Sequence, residues 1–190
     1  MSDNFIIFVR SMLAGICIGL GGAIFLKLGG VIGAVMFAFG LLTVVHFRIP
    51  LYTGTAGFIK LNKKEEYIKM LIILIGNIIG CFLLSLLNIQ GIDGTAVIMS
   101  RINVGYLQSF LSAIGCGLIM TLIVQGGRDK NLLLILFGIP LFILLGFYHS
   151  IADAFYFFVS DMSLSYIPYY LLIVLGNFVG CNVPRFFLYK

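Results

Sequence analysis

The chain has 190 residues, of which 61% are hydrophobic and only 10% are charged, and its mean hydropathy is +1.15. Soluble domains carry roughly a quarter charged residues, so this composition excludes an ordinary soluble protein. Apolar segments of about 20 residues, the length that crosses a bilayer as a helix, recur along nearly the whole chain. The sequence therefore predicts an all-α membrane protein with a single transmembrane domain over residues 1–190, in contact with the lipid bilayer.

The net charge of +5 is divided unevenly between the predicted loops. In a six-span arrangement, only Lys27 and Arg101 fall on one side of the membrane. The other side carries Arg10, Lys60, Lys63, Lys64, Lys69, Arg128, Lys130, Arg185 and Lys190. Because loops rich in Lys and Arg stay in the cytoplasm, both termini are expected to be cytoplasmic, with the chain in the plasma (inner) membrane. The basic excess is thus explained by topology, and no nucleic-acid partner is predicted.

Six spans are predicted, and two of them contain a break. They cover about residues 5–26, 29–47, 68–87, 106–124, 132–158 and 168–184. The helix of the second span is expected to break near Pro50, because proline removes a backbone donor and Gly54 and Gly57 are poor helix formers. A short helical piece over about residues 56–61 would complete that crossing, and the fifth span breaks at about residues 146–150.

A short motif indicates an internal repeat. The sequence G-N-I-I-G-C at residues 76–81 recurs as G-N-F-V-G-C at residues 176–181, and the same displacement aligns the two broken spans. With three helices in each half, the halves (about residues 5–90 and 104–190) must cross the membrane in opposite directions. Inverted repeats with paired broken helices predict a solute site at the midplane. The alternative is convergence of two apolar helices on the G-x-x-x-G packing motif.

Two ionisable residues lie inside the fifth apolar run. His149 either faces the pore, where an imidazole with an ordinary pKa of about 6.5 exchanges protons near neutrality, or bonds to a backbone carbonyl that the break exposes. Asp153 is four residues further on, on the same helix face. It either caps or orients the imidazole or lies in the outer vestibule. Since His46 is the one other histidine, a metal site lacks ligands, and no metal or other cofactor is predicted.

Other polar residues near the breaks have two interpretations each. Thr53 and Thr55 offer hydroxyl groups at the first break. Asn77 and Asn177 offer amides in the matched helices, where they bridge neighbouring helices or contact the solute. Arg48 either neutralises exposed carbonyl groups or attracts an anion.

Three motifs resemble those of the formate/nitrite transporter family. G-F-Y-H-S-I-A-D-A-F at residues 146–155 resembles the family signature G-F-E-H-S-I-A-N-M-F. L-Y-T-G at residues 51–54 resembles the L-F-T-G/S loop, and G-N-F-V-G at residues 176–180 resembles G-N-I-I-G in the sixth helix. The resemblance implies an aquaporin-like protomer, assembled as a homopentamer with one pore per protomer. It also implies that small monovalent anions of weak acids, such as formate, nitrite, hydrosulfide and lactate, pass through that pore.

By motif position, the resemblance implies that His149 is the central pore histidine and that Thr53 is its partner on a flexible loop. The other implied pore residues are Leu51 and Tyr52 on the cytoplasmic side, Phe37, Leu41 and Phe142 in an outer hydrophobic constriction, and Thr121, Val124 and Asn177 along the pore. The chain departs from the family pattern at several positions. Tyr148 replaces a glutamate, Asp153 replaces an asparagine, Arg48 is outside the pattern, and Arg101 is the candidate to replace an outer lysine.

The predicted function is a channel or transporter for small monovalent anions of the formate or nitrite type, linked to protons through His149. The alternative is a channel of the same fold for hydrosulfide or another small neutral or weak-acid solute. An enzyme is not predicted, because the chain offers no set of nucleophile, base and metal ligands. An aquaporin would be expected to carry N-P-A at both half-helix starts, and the sequence has this motif at neither.

Overall fold

The computed structural model describes residues 3–188, and within that range the chain forms helices and loops without a β-strand. Lys190, which the charge pattern assigned to the cytoplasmic side, lies outside the described residues, as do residues 1–2 and 189–190 of the predicted domain. The helices are α1 Asp3–Leu28, α2 Gly30–His46, α3 Tyr52–Ala56, α4 Lys64–Ser85, α5 Thr95–Asn103, α6 Gly105–Arg128, α7 Leu132–Leu144, α8 Ser150–Phe158, α9 Ile167–Asn182 and α10 Arg185–Leu188, with a 3₁₀ turn at Leu164–Tyr166.

Four segments are long and apolar enough to cross a membrane. They are Asp3–Leu28, Lys64–Ser85, Gly105–Arg128 and Leu164–Leu188. Two further apolar helices, α2 and α7, are shorter. The prediction of an all-helical protein with several membrane-length apolar helices is confirmed.

Helix α1 packs along α4, and α6 packs along α9. Glycines make both contacts close. A Cβ atom at Gly80 would collide with the carbonyl oxygen of Met12, and one at Gly180 would collide with that of Ile114. Small residues at such positions let helix backbones touch in lipid, so the repeated G-x-x-x-G motif has the same packing role in α4 and in α9.

The connection between α2 and α3 is a tight turn that a distant arginine holds. Arg48 adopts a left-handed backbone conformation with φ of 50°. The guanidinium of Arg10 donates hydrogen bonds to the carbonyl oxygens of Phe47 (3.2 Å) and Arg48 (2.9 Å). Arg48 contributes its carbonyl oxygen to this contact, while its side chain remains exposed.

The short helix after this turn begins earlier than the sequence predicts. It covers Tyr52–Ala56 and not residues 56–61, so Thr53 lies in a helix and not on a loop. The reason is a partner from elsewhere in the chain: the N–H group of Tyr52 donates to Oδ1 of Asn77 in α4 at 2.8 Å. This hydrogen bond satisfies an N–H group of the first turn that has no partner within the helix, so the helix can start two residues after Pro50.

Helix α7 stops at Leu144, and α8 starts at Ser150. Gly146 has φ of 69°, a conformation that glycine adopts without steric cost. His149 is extended and precedes α8 directly. The N–H group of Ser150 donates to Oδ1 of Asn177 in α9 at 2.8 Å, as Tyr52 does to Asn77.

The segment predicted as an outer loop contains a helix, α5, which was not predicted. The carboxylate of Asp93 accepts a hydrogen bond from the N–H group of Thr95 at 2.8 Å, and hydrogen bonding to Thr95 lowers the pKa of Asp93. Ile98 is fully buried and anchors α5 on the protein. Helix α5 therefore holds Arg101, near its end, against the protein.

Candidate functional site

His149 is buried, and each of its ring nitrogens makes one hydrogen bond. Nδ1 accepts from the backbone N–H group of Ala152 (3.2 Å), and Nε2 lies 2.8 Å from the hydroxyl oxygen of Thr53. Because an amide N–H can only donate, Nδ1 carries no proton, and the neutral ring carries its hydrogen on Nε2. Nε2–H then donates to Thr53. The backbone partner is thus an amide nitrogen and not the carbonyl that one sequence interpretation expected.

A cavity of about 280 Å³ reaches the imidazole from one side. We call it the Arg101 cavity. It is lined by Phe25, Ala96, Val97, Ser100, Arg101, Phe142, Ile143, Gly146, Phe147, His149, Ala152, Asp153 and Tyr156. Three of the predicted pore residues, Phe142, His149 and Asp153, therefore face the same space as Arg101.

Arg101 and Asp153 form a buried ion pair in the wall of this cavity. Their contacts are Nη2 to Oδ1 at 3.3 Å and Nε to Oδ2 at 3.4 Å. The hydroxyl of Tyr166 also donates to Oδ2 at 3.2 Å, and Nη1 of Arg101 donates to the hydroxyl of Ser100 at 3.0 Å. The guanidinium lies 3.9 Å above the centre of the Tyr148 ring. Buried charges are tolerated when they are paired and hydrogen-bonded in this way.

The carboxylate of Asp153 therefore binds Arg101 and Tyr166, and its hydrogen bonds do not include the imidazole. The link to His149 is through the backbone, where the Asp153 N–H donates to the His149 carbonyl oxygen at 2.9 Å. The carboxylate therefore lies in the wall of the Arg101 cavity, and its place in an outer vestibule stays a prediction. Among residues 3–188, no group of three His, Cys, Asp or Glu side chains is placed to hold a metal ion.

A second cavity, of about 740 Å³, lies on the side of the α2–α3 turn, and we call it the Arg48 cavity. It is lined by Ile7, Val44, Val45, His46, Arg48, Ile49, Pro50, Leu51, Gly54, Thr55, Ile73, Val124, Gly127, Arg128, Lys130 and Leu132. Its described lining carries cationic side chains and no carboxylate. Nη2 of Arg128 donates to the carbonyl oxygen of Gly54 at 3.1 Å, which ties α6 to α3.

The predicted constriction residues Phe37, Leu41 and Phe142 belong to the buried apolar core, and the Phe142 ring lies beside the imidazole. Phe37 and Leu41 of α2 are fully buried. The Phe37 ring meets the Phe142 ring edge-on, with centroids 6.1 Å apart, and the Phe142 ring lies 5.9 Å from the imidazole of His149. The described linings of the two cavities share no residue.

The remaining predicted pore residues fall into two groups. Arg48, Leu51 and Val124 line the Arg48 cavity. Tyr52 and Thr121 are buried and line neither of these two cavities. The Tyr52 hydroxyl donates to the carbonyl oxygen of Val174 (3.2 Å), and the Thr121 hydroxyl donates to that of Cys181 (2.9 Å).

Asn177 is also buried and lies outside both cavities. Its Nδ2 group donates to the carbonyl oxygens of Ala113 (2.9 Å) and Tyr148 (2.8 Å), while Oδ1 binds the start of α8. Asn77 makes the corresponding bonds to Ser11 (2.8 Å) and Pro50 (3.1 Å). Both asparagines therefore bridge helices.

Sequence reasoning did not single out Ser100 and Tyr166, which complete the surroundings of the Arg101–Asp153 pair. Both lie in segments that read as the outer loop or its border, where a serine or a tyrosine is unremarkable. Ser100 is next to its partner Arg101 in α5, whereas Tyr166 reaches Asp153 in α8, thirteen positions away. No local pattern in the sequence indicates such a contact.

Comparison with known proteins gives the family and the fold. The family model of the formate/nitrite transporters matches residues 3–189. The fold is similar to that of a pentameric formate channel with formate bound (TM-score 0.81, 19% identity, 95% of this chain and 93% of that chain). It is also similar to an FNT family ion channel (TM-score 0.78, 21% identity, 95% and 87%). No match to a curated protein was found. These relatives are channels and transporters, not enzymes, and the chain belongs to the formate/nitrite transporter family.

Proposed function

We propose that the protein conducts small monovalent anions of weak acids, of the formate or nitrite type, across the plasma membrane. One observation carries the proposal: the 2.8 Å hydrogen bond between His149 and Thr53. It joins the wall of the Arg101 cavity to helix α3, of which Gly54 lines the Arg48 cavity, as does Leu51 just before the helix. Because Nε2–H donates to the Thr53 oxygen, the Thr53 hydroxyl keeps its own hydrogen for a solute at this junction.

We propose an architecture of six crossings in two inverted repeats. In this arrangement α2 with α3, and α7 with α8, each form one interrupted crossing. The equivalent bonds of Asn77 and Asn177 to the starts of α3 and α8 support the repeat. The two short helices then begin at Tyr52 and Ser150, and the first does not begin after Thr55 as expected. By likeness to the pentameric formate channel, the protomers assemble as a homopentamer in the lipid bilayer.

In the proposed mechanism the solute enters the Arg101 cavity as an anion and takes the hydrogen bond of His149 Nε2–H in exchange for Thr53. The positive end of the α8 dipole favours an anion there. Carrying a bare charge through the layer of Phe37 and Phe142 would cost several kcal/mol, so the solute crosses as the neutral acid. Protonating the imidazole would break the bond from Ala152 N–H to Nδ1. His149 therefore acts as a neutral donor that orients the solute, and the proton that the solute oxygen accepts comes from a hydronium ion of the bulk solution, relayed through water in the cavity.

The test is formate uptake into proteoliposomes by His149→Phe and His149→Asn variants. We expect His149→Phe to lose about 10- to 100-fold in flux, because a hydrogen bond to a charged group contributes about 1.5–3 kcal/mol. His149→Asn retains a side-chain oxygen that can cap α8 and an amide donor, so it should keep a measurable part of the proton-linked flux.

The controls are thermal unfolding and size-exclusion behaviour, which should match those of the unmodified protein. Unchanged formate flux in His149→Phe would refute a central role for the imidazole. If His149→Asn is as inactive as His149→Phe, a titrating ring is required and the neutral-donor mechanism is wrong.

The alternative solute is hydrosulfide or another small neutral or weak-acid molecule. The pairing of Arg101 with Asp153 favours it, because the pair has no net charge and attracts an anion weakly. Sulfide and formate flux measured in the same vesicles separates the two. Greater flux of sulfide at all pH values, with negligible formate flux, would establish the alternative.

A further inference from the structure

We propose that the ion pair with Asp153 prevents the guanidinium of Arg101 from binding the solute. The two mouths of the pore then bind an anionic solute with unequal affinity. The mouth at the Arg101 cavity is the weaker, and the mouth at the Arg48 cavity is the stronger. This inference rests on the proposed function, because it concerns the same solute and the same pore.

Arg101 already donates hydrogen bonds to other groups of the protein. A guanidinium has five N–H donors in a fixed fork, and a carboxylate binds best when it takes two of them together. In this protein, Asp153 takes the edge formed by Nε and Nη2, and Ser100 takes a hydrogen from Nη1. One flat face is covered by the Tyr148 ring. A solute carboxylate therefore finds the Nε–Nη2 edge already occupied by another carboxylate, and one Nη1 hydrogen already donated to Ser100.

Asp153 is buried and hydrogen-bonded, so an anion at low concentration does not displace it from Arg101. Its side chain is 1% exposed, against 13% for that of Arg101. The hydroxyl of Tyr166 supplies a third donor to the same carboxylate. An anion that displaced Asp153 from Arg101 would leave a buried carboxylate with one partner, which is unfavourable. The pair thus stays closed and contributes no net charge to the cavity.

The Arg48 cavity differs in charge. Arg48 and Lys130 line it, and both residues are exposed. Among the described residues that line it there is no carboxylate. Asp129 is next to Lys130 in the chain, and both of its carboxylate oxygens accept from the side-chain amide nitrogen of Gln125 at 3.0 Å. Positive charge without a paired carboxylate raises the local concentration of anions, so this mouth is the better anion receptor.

A passive pore cannot set the direction of net solute flow. The unequal binding at the two mouths appears instead in the solute concentration at which the flux from each side saturates. The half-saturating concentration of solute should be higher at the Arg101 mouth than at the Arg48 mouth. Asp153→Asn keeps the shape of the side chain and one oxygen for Tyr166, but it removes the charge that neutralises Arg101. The variant should therefore improve binding at one mouth and leave the other unchanged.

The experiment uses full-length protein inserted in one orientation in liposomes, with formate as the probe and ionic strength held constant. Initial flux is measured against formate concentration at each face separately. For Asp153→Asn, we expect the half-saturating concentration at the Arg101 face to fall about tenfold or more, the effect of making a charge-assisted hydrogen bond available. The value at the Arg48 face should not change. The matched control, Arg48→Gln, should raise the value at the Arg48 face alone.

A second variant keeps the inference testable if Asp153→Asn does not fold. Arg101→Gln combined with Asp153→Asn leaves the site uncharged, as the closed pair does, so the Arg101-face value should stay within about twofold of the unmodified protein. A large rise in the double variant would show that Arg101 already binds the solute. An unchanged or higher Arg101-face value in folded Asp153→Asn would show that Asp153 positions Arg101 for binding. Either result overturns the inference while flux persists. If the unmodified protein conducts no formate, the proposed function itself is refuted, and the inference with it.

Discussion

Asn77 and Asn177 each satisfy the exposed backbone at the start of a short helix. Each amide oxygen accepts from the first N–H group of that helix, and each amide nitrogen donates to a carbonyl oxygen just before it. An irregular backbone inside a membrane-spanning protein needs such partners, because lipid supplies none. The side chains that permit the two breaks are therefore the asparagines, and His149 depends on one of them for its position.

We predict that Asn177→Leu destabilises the protein and disorders the start of α8. The change leaves the N–H group of Ser150 and the carbonyls of Ala113 and Tyr148 without their side-chain partner. Each buried unsatisfied group costs about 1–3 kcal/mol, so thermal unfolding in detergent should occur at a clearly lower temperature. The control is Ser150→Ala, since the Ser150 hydroxyl has no hydrogen-bond partner among the described residues. Equal unfolding temperatures for the two variants would contradict this role.

For single residues, the sequence singled out His149 as a polar group inside an apolar run, and the family resemblance supplied Thr53, 96 positions away, as its partner. The residues alone suggested a backbone carbonyl as partner, whereas the contact with the Ala152 N–H group arises because His149 directly precedes α8. The partner of Asp153 could not be chosen from the sequence, because Arg101 is 52 positions away on a helix that the sequence did not predict. That pairing exists because α5 packs against α8.

At the level of helices, close contacts between backbones hold the bundle together. We predict that Gly80→Ala and Gly180→Ala destabilise the protein to similar degrees. Each added Cβ atom would meet a backbone carbonyl oxygen of the neighbouring helix, and overpacking of this kind costs about 1–3 kcal/mol or more. Thermal unfolding of the two variants measures the effect.

Gly54→Ala is the control for this pair. Its added Cβ atom would make ordinary contacts, the nearest at 3.5 Å from Cβ of Leu51, so its unfolding temperature should stay close to that of the unmodified protein. If all three alanine variants unfold alike, helix propensity and not backbone contact explains the result. If Gly180→Ala alone is tolerated, the two motifs do not have equivalent packing roles.

The membrane-length helices follow from hydrophobic runs, which the sequence displays directly, whereas the bounds of α3 do not. Pro50 and the nearby glycines correctly indicated an interruption, but local propensity placed the next helix after Thr55. The N–H group of Tyr52 is satisfied by a side chain 25 positions away, and no local rule contains that partner. Helix α5 was missed for a related reason: its stability depends on the burial of Ile98 against the bundle.

For the whole molecule, the arrangement of charge leads to a prediction of orientation. The N-terminal part of α1 is near the Arg48 cavity, since Ile7 lines it and Arg10 binds the α2–α3 turn. Lys130 lines the same cavity, and the basic segment before α4 belongs to the same predicted face. Because basic loops are retained in the cytoplasm, the Arg48 cavity should open to the cytoplasm and the Arg101 cavity to the opposite side.

Single cysteines test this orientation. The native residues Cys17, Cys81, Cys116 and Cys181 are buried, so the unmodified protein should not react with a membrane-impermeant maleimide and serves as the control. Gln90→Cys and Ser163→Cys replace exposed residues on the predicted outer face, and both should be labelled in intact cells. Lys64→Cys and Lys130→Cys, also at exposed positions, should be labelled only after the cells are permeabilised. Labelling of Lys64→Cys and Gln90→Cys from the same face would mean that α4 does not cross the membrane, and six crossings in inverted repeats would then be impossible. The reverse pattern, with all four positions exchanged, would keep the crossings but place the more cationic mouth outside the cell.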